Sequence, residues 1–530
     1  MLHVAHQLIT TANKYPDRLA VVSVRNALTY RELDLQSSCL ANALKRRGIT
    51  KGKRVAMLLH NSCEWAVTFY ALQKLGAVAV PLHVRLHGSE LAEEVRLANC
   101  KALVFGASLT DLAEELLRFY PECEFTICVG DSCPIWAIPW ENMFLDPDYS
   151  FSMEGLSNKD LSVILFTSGT TGAAKGVTRT QKMMALHAVT LGVTNCSNLD
   201  HDIMLSAASL YHAGGSQGLI KMVFLGGTYI TLPRIVPEDV LSMIETYRVT
   251  QLQMLPPVTY ERLYLSGIWK NYDCSSVHEV CISAGKCTVE YADHVFEMFP
   301  NAHLRPSWGS TETCSVTCMH LTRQELAACS GQINNVGQLI PLNEVRLVDD
   351  DGNLVPPGSP GEARVRSPML FSGYLLQGNV VDPIFDEKGW FHTGDIMRQD
   401  PKTKCFYFID RKKDMIKSGG ENIFAMEIEQ VIQQHPAILE CAVVGVPDEE
   451  FDEAIGAAIV LNPGMTLTPQ ELVDFCKQHL PSFKKPRYMA ILDQLPVNSV
   501  GKVQKGVLRK NAKELFRPID SRALEQRTAV

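Results

Sequence analysis

Apolar residues recur along the chain with two periods, and the switches between them lay out the first third of the fold. Thr29-Tyr30-Arg31-Glu32 has the form of a capping box, in which hydroxyl and carboxylate satisfy each other's orphan amides. Leu33, Leu40 and Leu44 then fall on one helical face, and Gly48 ends the run. Arg54 to Leu59 (RVAMLL) is a continuous apolar run of strand length. Glu64 to Leu75 has helical spacing closed by Gly76, and Ala77 to Leu82 predicts the next strand. Lys101 to Phe105 and Ser162 to Phe166 are further short apolar runs. Strands separated by helices predict parallel sheets covered on both faces.

After about residue 340 the texture changes. Glu344 to Val348, a turn at Asp350-Asp351-Gly352 and Asn353 to Val355 predict a hairpin. Pro356-Pro357-Gly358 and the alternating Glu362 to Val365 extend it into a small antiparallel β-element. From the charge-dense Arg411-Lys412-Lys413-Asp414 onward, a helix (Met426 to Gln434), two strands (Glu440 to Val446, Ala454 to Leu461) and a second helix predict a compact α+β domain. That last helix opens on Thr468-Pro469-Gln470-Glu471, a capping box with Pro at the first helical position. The expected boundary divides 1–410 from 411–530.

Composition narrows the function classes. The chain has 530 residues, 46% hydrophobic and 20% charged, within the globular range. Fifty Lys and Arg against 58 Asp and Glu give a net charge of −8, which offers no overall attraction for nucleic acid. No apolar stretch reaches the roughly 18–20 residues of a membrane span, and the first residues lack a secretory plan. Sixteen Cys without paired spacing suit a reducing, cytoplasmic setting. Cys314 and Cys318 lack a following His/Cys pair, so buried thiols rather than a zinc site are expected there.

The strongest chemical signal follows the strand Ser162 to Phe166. Thr167-Ser168-Gly169-Thr170-Thr171-Gly172-Ala173-Ala174-Lys175-Gly176 combines hydroxyls, Gly amides and one Lys, the equipment for wrapping phosphate oxygens. It is not a Walker loop, because Ala174 stands where Gly is required and Gly176 replaces Ser/Thr.

This segment resembles the phosphate loop of the acyl-adenylate-forming superfamily, which includes acyl-CoA synthetases, luciferases and nonribosomal-peptide adenylation domains. Further matches follow in family order: Leu75 to Pro81, Trp308-Gly309-Ser310-Thr311-Glu312, Trp390-Phe391-His392-Thr393-Gly394-Asp395, Asp410 to Asp414 leading into Ile416 to Asn422, and Pro496 to Lys502. The fold this implies is α/β: a large N-terminal adenylation domain of two sheets plus a small β-barrel-like element, and a smaller mobile α+β C-terminal domain. The activity implied is ATP-dependent ligation of a small carboxylic acid to coenzyme A, by the acyl-CoA synthetase branch, with release of AMP and pyrophosphate.

The resemblance also implies roles. Thr167 to Gly172, Lys175 and Thr311 would bind ATP phosphates, with Glu312 holding Mg²⁺. Trp308 and Gly309, with the backbone of Ala284-Gly285-Lys286, would flank adenine, and this last segment departs from the family pattern at Lys286 and Cys287. Asp395 would accept from the ribose hydroxyls with Arg411 alongside, and Lys413 would be the hinge. Lys502 would offset charge on carboxylate and α-phosphate, and Lys417 would serve the second step. Ser418, Gly419 and Gly420 would line the thiol tunnel, and His212, with Ala284, the acyl pocket. No Asp stands near His212 to hold a substrate ammonium, which argues against an α-amino acid.

Two alternatives compete. An amide-forming relative would use an amine in place of the thiol. Gly214-Gly215-Ser216-Gln217-Gly218 also fits the G-x-S-x-G elbow, which would make Ser216 an esterase nucleophile.

Overall fold

The Thr29 capping box forms as the sequence predicts. Glu32 N–H donates to Thr29 Oγ1 at 3.2 Å, and Thr29 N–H donates to the Glu32 carboxylate at 2.8 Å. The helix it opens, Tyr30–Arg46, buries Leu33, Leu40 and Leu44 completely. These features are seen in a computed structural model, which describes all residues except 1, 169–173, 195–201, 255–256, 284–286, 327–333, 376–380, 383, 420, 498–502 and 520–530. The chain forms two compact units. The first comprises 1–328, 337–344 and 365–391, and the second 329–336, 345–364 and 392–530.

The first unit contains two large sheets. One has nine strands, with Leu161–Ser168, Val78–Pro81, Arg54–Leu58, Ala102–Gly106 and Phe125–Val129 adjacent and parallel in that order. Strand alternation sends Val55 and Met57 into one core, and Ala56 and Leu58 into another beneath the helices Gly88–Ala98 and Thr110–Phe119. The second sheet has seven strands, centred on Ile203–Ser206, Thr228–Thr231 and Gln251–Gln253, all parallel. Residues of both sheets share one core with the helix Cys63–Leu75, which is apolar and buried on nearly every face. That helix stops at Gly76, whose φ of +64° is a left-handed cap that Gly adopts without a Cβ penalty.

Two expectations need local correction. The strand predicted as Ser162 to Phe166 runs over Leu161–Ser168 and returns antiparallel as Ala174–Thr180, with Thr167 opposite Lys175. Thr167, Ser168, Lys175 and Gly176 are therefore strand residues rather than loop, because hairpin pairing supplies partners for their backbone. Asn353 to Val355 returns on Glu344–Val348 only through an isolated bridge, Val348 to Leu354, after the turn at Gly352.

In the second unit, Phe406–Arg411, Phe391–Gln399, Gly361–Arg366 and Glu344–Val348 are neighbours in one sheet. A separate sheet is built on the long antiparallel pair Ile438–Asp448 and Asp452–Leu461. Along the first of that pair, Cys441 and Val443 face a core with the helices Ala425–Ile432 and Pro469–His479. Ala442 and Val444 face a second core with Leu508, Ala512 and Phe516. A two-residue period thus covers both faces of this sheet. Among the described residues, no helix is long and apolar enough to cross a membrane.

Candidate active site

Hairpin pairing fixes Lys175 near the tip of Ala174–Thr180, and a third strand, Gly373–Leu375, joins the same edge with Tyr374 opposite Val177. Lys175 Nζ lies 5.0 Å from the centroid of the Tyr374 ring. The Tyr374 hydroxyl donates to Glu312 Oε1 at 2.7 Å. Two residues selected from separate motifs, Lys175 and Glu312, thus meet at a tyrosine that sequence reasoning did not select.

Glu312 is carried by a turn between Ser307–Ser310 and Cys314–Cys318. The Ser310 hydroxyl accepts from the N–H groups of Glu312 and Thr313 at 3.2 and 3.3 Å, which shapes the turn and presents Thr311 and Glu312. Gly309 is required by the hairpin itself, since a Cβ there would lie 1.8 Å from the carbonyl oxygen of Cys314. Trp308 is 7% exposed. Cys314 and Cys318 are buried and not disulfide-bonded, and no group of three potential metal ligands occurs among the described residues.

Arg179, on the strand that carries Lys175, is fully buried, and its guanidinium donates to the carbonyls of Thr311 and Met369. Beside it, His187 Nε2 accepts from Ser315 N–H at 3.3 Å. Burial, and then the Arg179 charge, push His187 down to about 3, so its imidazole is neutral. A buried cation on backbone carbonyls and a buried neutral imidazole both fasten the segment from Thr311 to Ser315. Neither has a sequence signature, because each is recognised only by partners distant in the chain.

His212 precedes the helix Ala213–Leu225 and packs edge-on against His83, with centroids 5.3 Å apart, and against Tyr211 at 4.7 Å. Burial, then His83 and Arg85, push it down to about 4. His83 Nδ1 accepts from Arg85 N–H at 3.1 Å, which puts its own proton on Nε2. The esterase alternative is corrected here. Ser216 lies within the helix, is fully buried, and donates its hydroxyl to His212 O at 3.0 Å. A nucleophile elbow needs an exposed hydroxyl on a strand-to-helix turn.

In the second unit, Asp395 and Arg411 are register partners across the hairpin of Phe391–Gln399 and Phe406–Arg411. Their side chains form a 3.4 Å ion pair. Thr393 Oγ1 donates to Ala363 O at 2.7 Å and accepts from Asp395 N–H at 3.1 Å, with Gly394 at φ +70° between them. The charge-dense stretch is anchored residue by residue. Asp410 accepts from the Met426 and Arg411 N–H groups, Lys412 bridges Asp350 and Glu362, and Asp414 pairs with Arg509. Lys413 makes no ion pair among the described residues, and burial lowers its pKa. Lys417 is exposed on Ile416–Ser418, opposite Asn422. Ser418 is 9% exposed, and Gly419, at φ +58°, donates its N–H to Phe451 O at 3.0 Å. Gly169 to Gly172, Ala284, Gly285, Lys286, Gly420 and Lys502 lie outside the described residues, as does the side chain of Ser168.

Comparison with known proteins agrees with the family resemblance. The AMP-binding enzyme family model matches residues 8–375, and the AMP-binding enzyme C-terminal domain model matches 427–502. The chain belongs to this family, in the acyl-CoA ligase branch of the acyl-adenylate-forming enzymes. It is 30% identical to a medium-chain fatty-acid–CoA ligase of Escherichia coli (strain K12), over 94% of this chain and 89% of that one. The o-succinylbenzoate CoA synthetase of Bacillus subtilis, solved with its acyl-adenylate intermediate, is similar at a TM-score of 0.82 and 26% identity, covering 97% and 99% of the two chains. The amide bond synthetase of Marinactinospora thermotolerans is similar at a TM-score of 0.83 and 26% identity, covering 96% and 99%.

Proposed function

We propose that the protein joins a small carboxylic acid to coenzyme A in two steps within one ATP-dependent cycle. In the first, a carboxylate oxygen attacks the α-phosphorus of ATP, the bond to the β-phosphate breaks, and pyrophosphate leaves. In the second, the coenzyme A thiol gives up its proton, the thiolate attacks the acyl carbon, and AMP departs with the former carboxylate oxygen. The observation that carries this reading is the convergence of Lys175 and Glu312 on Tyr374, within a chain whose family matches span both units.

Two anions must approach each other in the first step, so the residues assigned to it supply charge and hydrogen bonds. Thr167, Ser168, Gly169, Thr170, Thr171, Gly172, Lys175 and Thr311 hold phosphate oxygens. Trp308, Gly309, Gly285 and Lys286 flank the base, Asp395 and Arg411 hold the ribose, and His212 and Ala284 line the acyl pocket. Lys502 draws carboxylate and α-phosphate together. Glu312 is suited to Mg²⁺, because a carboxylate is a hard oxygen donor and the Tyr374 bond to Oε1 leaves Oε2 for the ion. Bound there, Mg²⁺ neutralises phosphate charge.

Lys417, Ser418, Gly419 and Gly420 serve the thioester step, and Lys413 is the pivot between the two half-reactions, with the functional boundary at 410/411. None of the described cysteines is disulfide-bonded, which supports a cytoplasmic setting. Likeness to an amide bond synthetase keeps one alternative acceptor, an amine, in view. A pyrophosphate-release screen across aryl, short-chain, medium-chain and carnitine-like acids, with and without coenzyme A, tests the reading. Acid-dependent pyrophosphate with a thioester product supports it, and an amide formed in preference to the thioester favours the alternative.

A further inference from the structure

Tyr374 stands between two groups of opposite charge. Among the described residues, Glu312 has no other hydrogen-bond partner for its carboxylate, and Lys175 has no ion pair. A direct ion pair between this ammonium and this carboxylate would occupy both, and each would have to be released before serving phosphate or cation. Tyr374 gives each a weaker partner instead. Glu312 receives a neutral O–H donor, and Lys175 receives the negative face of a ring. The phenol hydroxyl is the donor in the 2.7 Å bond to Glu312 Oε1.

The ring is held from several sides. Gly373–Leu375 is paired to Ala174–Thr180, the Thr178 hydroxyl donates to Gly373 O at 2.8 Å, and Phe371 N–H donates to Glu312 O at 2.9 Å. The Phe371 ring packs edge-on at 5.0 Å. Gly176 admits Leu375 beside it, since a Cβ there would come within 3.1 Å of Leu375 Cβ. An aromatic side chain fixed this firmly can hold two flexible ones.

We propose that Tyr374 is a positioning residue for adenylation: its hydroxyl fixes one oxygen of Glu312 and leaves the other for the divalent cation, while its ring keeps Lys175 off that carboxylate. This rests on the reading of Glu312 as the cation ligand, and the test separates the two.

Mn²⁺ binding in the presence of ATP, followed by electron paramagnetic resonance, is compared in wild type, Glu312→Gln, Tyr374→Phe and Tyr374→Leu, with apparent ATP affinity measured at saturating Mn²⁺. Tyr374→Phe keeps the ring and loses the hydroxyl, so Mn²⁺ affinity should fall by roughly 3–10-fold while ATP affinity stays within about two-fold. Tyr374→Leu removes both, so Mn²⁺ and ATP affinities should fall together. Unchanged Mn²⁺ affinity in Tyr374→Phe, or identical effects of the two tyrosine variants, would overturn the proposal alone. Unchanged Mn²⁺ affinity in Glu312→Gln would remove the cation-ligand reading and the proposal with it.

Discussion

Asp395 and Arg411 face each other across one hairpin, and their ion pair is asymmetric: the aspartate side chain is 9% exposed and the arginine 38%. Register places the carboxylate, and Thr393 and Gly394 shape the backbone that leads to it. If that carboxylate accepts from the ribose, Asp395→Ala should raise the KM for ATP by about 10-fold or more, the loss expected for hydrogen bonds to a charged group. Arg411→Gln should raise it less, since the arginine acts beside the carboxylate. Initial rates of pyrophosphate release against ATP concentration decide this, and an unchanged KM in Asp395→Ala would remove the ribose assignment.

The two half-reactions should separate by lysine. Lys502→Ala should slow acid-dependent pyrophosphate exchange by about 10²–10³, the cost of one preorganised electrostatic donor. It should still convert a supplied acyl-adenylate to thioester. Lys417→Ala should show the opposite bias, more weakly. Similar exchange rates in Lys502→Ala and wild type would refute the lysine's role.

Ser216→Ala should leave ATP-dependent activation largely intact. Its hydroxyl is spent on the His212 carbonyl one helical turn back, an interaction worth about 1 kcal/mol to stability. Loss of an ATP-independent esterase activity in this variant would revive the hydrolase reading.

His187 makes stability depend on pH. Its folded pKa of about 3 lies below the ordinary value of 6.5, so the unfolded chain binds the extra proton between those limits. The native state is therefore fully favoured above pH 6.5 and loses ground as pH falls toward 3. At pH 5 this one group should cost about 2 kcal/mol relative to pH 7.5. His187→Gln should show a smaller drop in Tm between those two pH values than wild type. Parallel drops would mean that the imidazole is not neutral in the folded state.

What the sequence made legible depended on whether the signal was local. The Thr29 and Thr468 capping boxes form as read, because each needs only four consecutive residues. The helix Cys63–Leu75 and its Gly76 cap were legible for the same reason. Lys175 and Glu312 were selected through their motifs, but nothing in either predicted that Tyr374 would join them. That meeting is made by strand pairing between Gly373–Leu375 and Ala174–Thr180, which are distant in sequence. Arg179, a buried cation resting on two carbonyls, reads in sequence as one more polar strand residue. Ser216 shows the reverse failure, a five-residue pattern that a helix start satisfies without elbow chemistry.

The central claim is attack by a carboxylate on the α-phosphorus. It is tested most directly with an accepted acid labelled with ¹⁸O in its carboxylate, incubated with ATP, Mg²⁺ and coenzyme A, and followed by mass spectrometry of the nucleotide product. The account predicts AMP carrying one ¹⁸O from the acid, together with pyrophosphate and the thioester. ADP as the product, or AMP without the label, would contradict it.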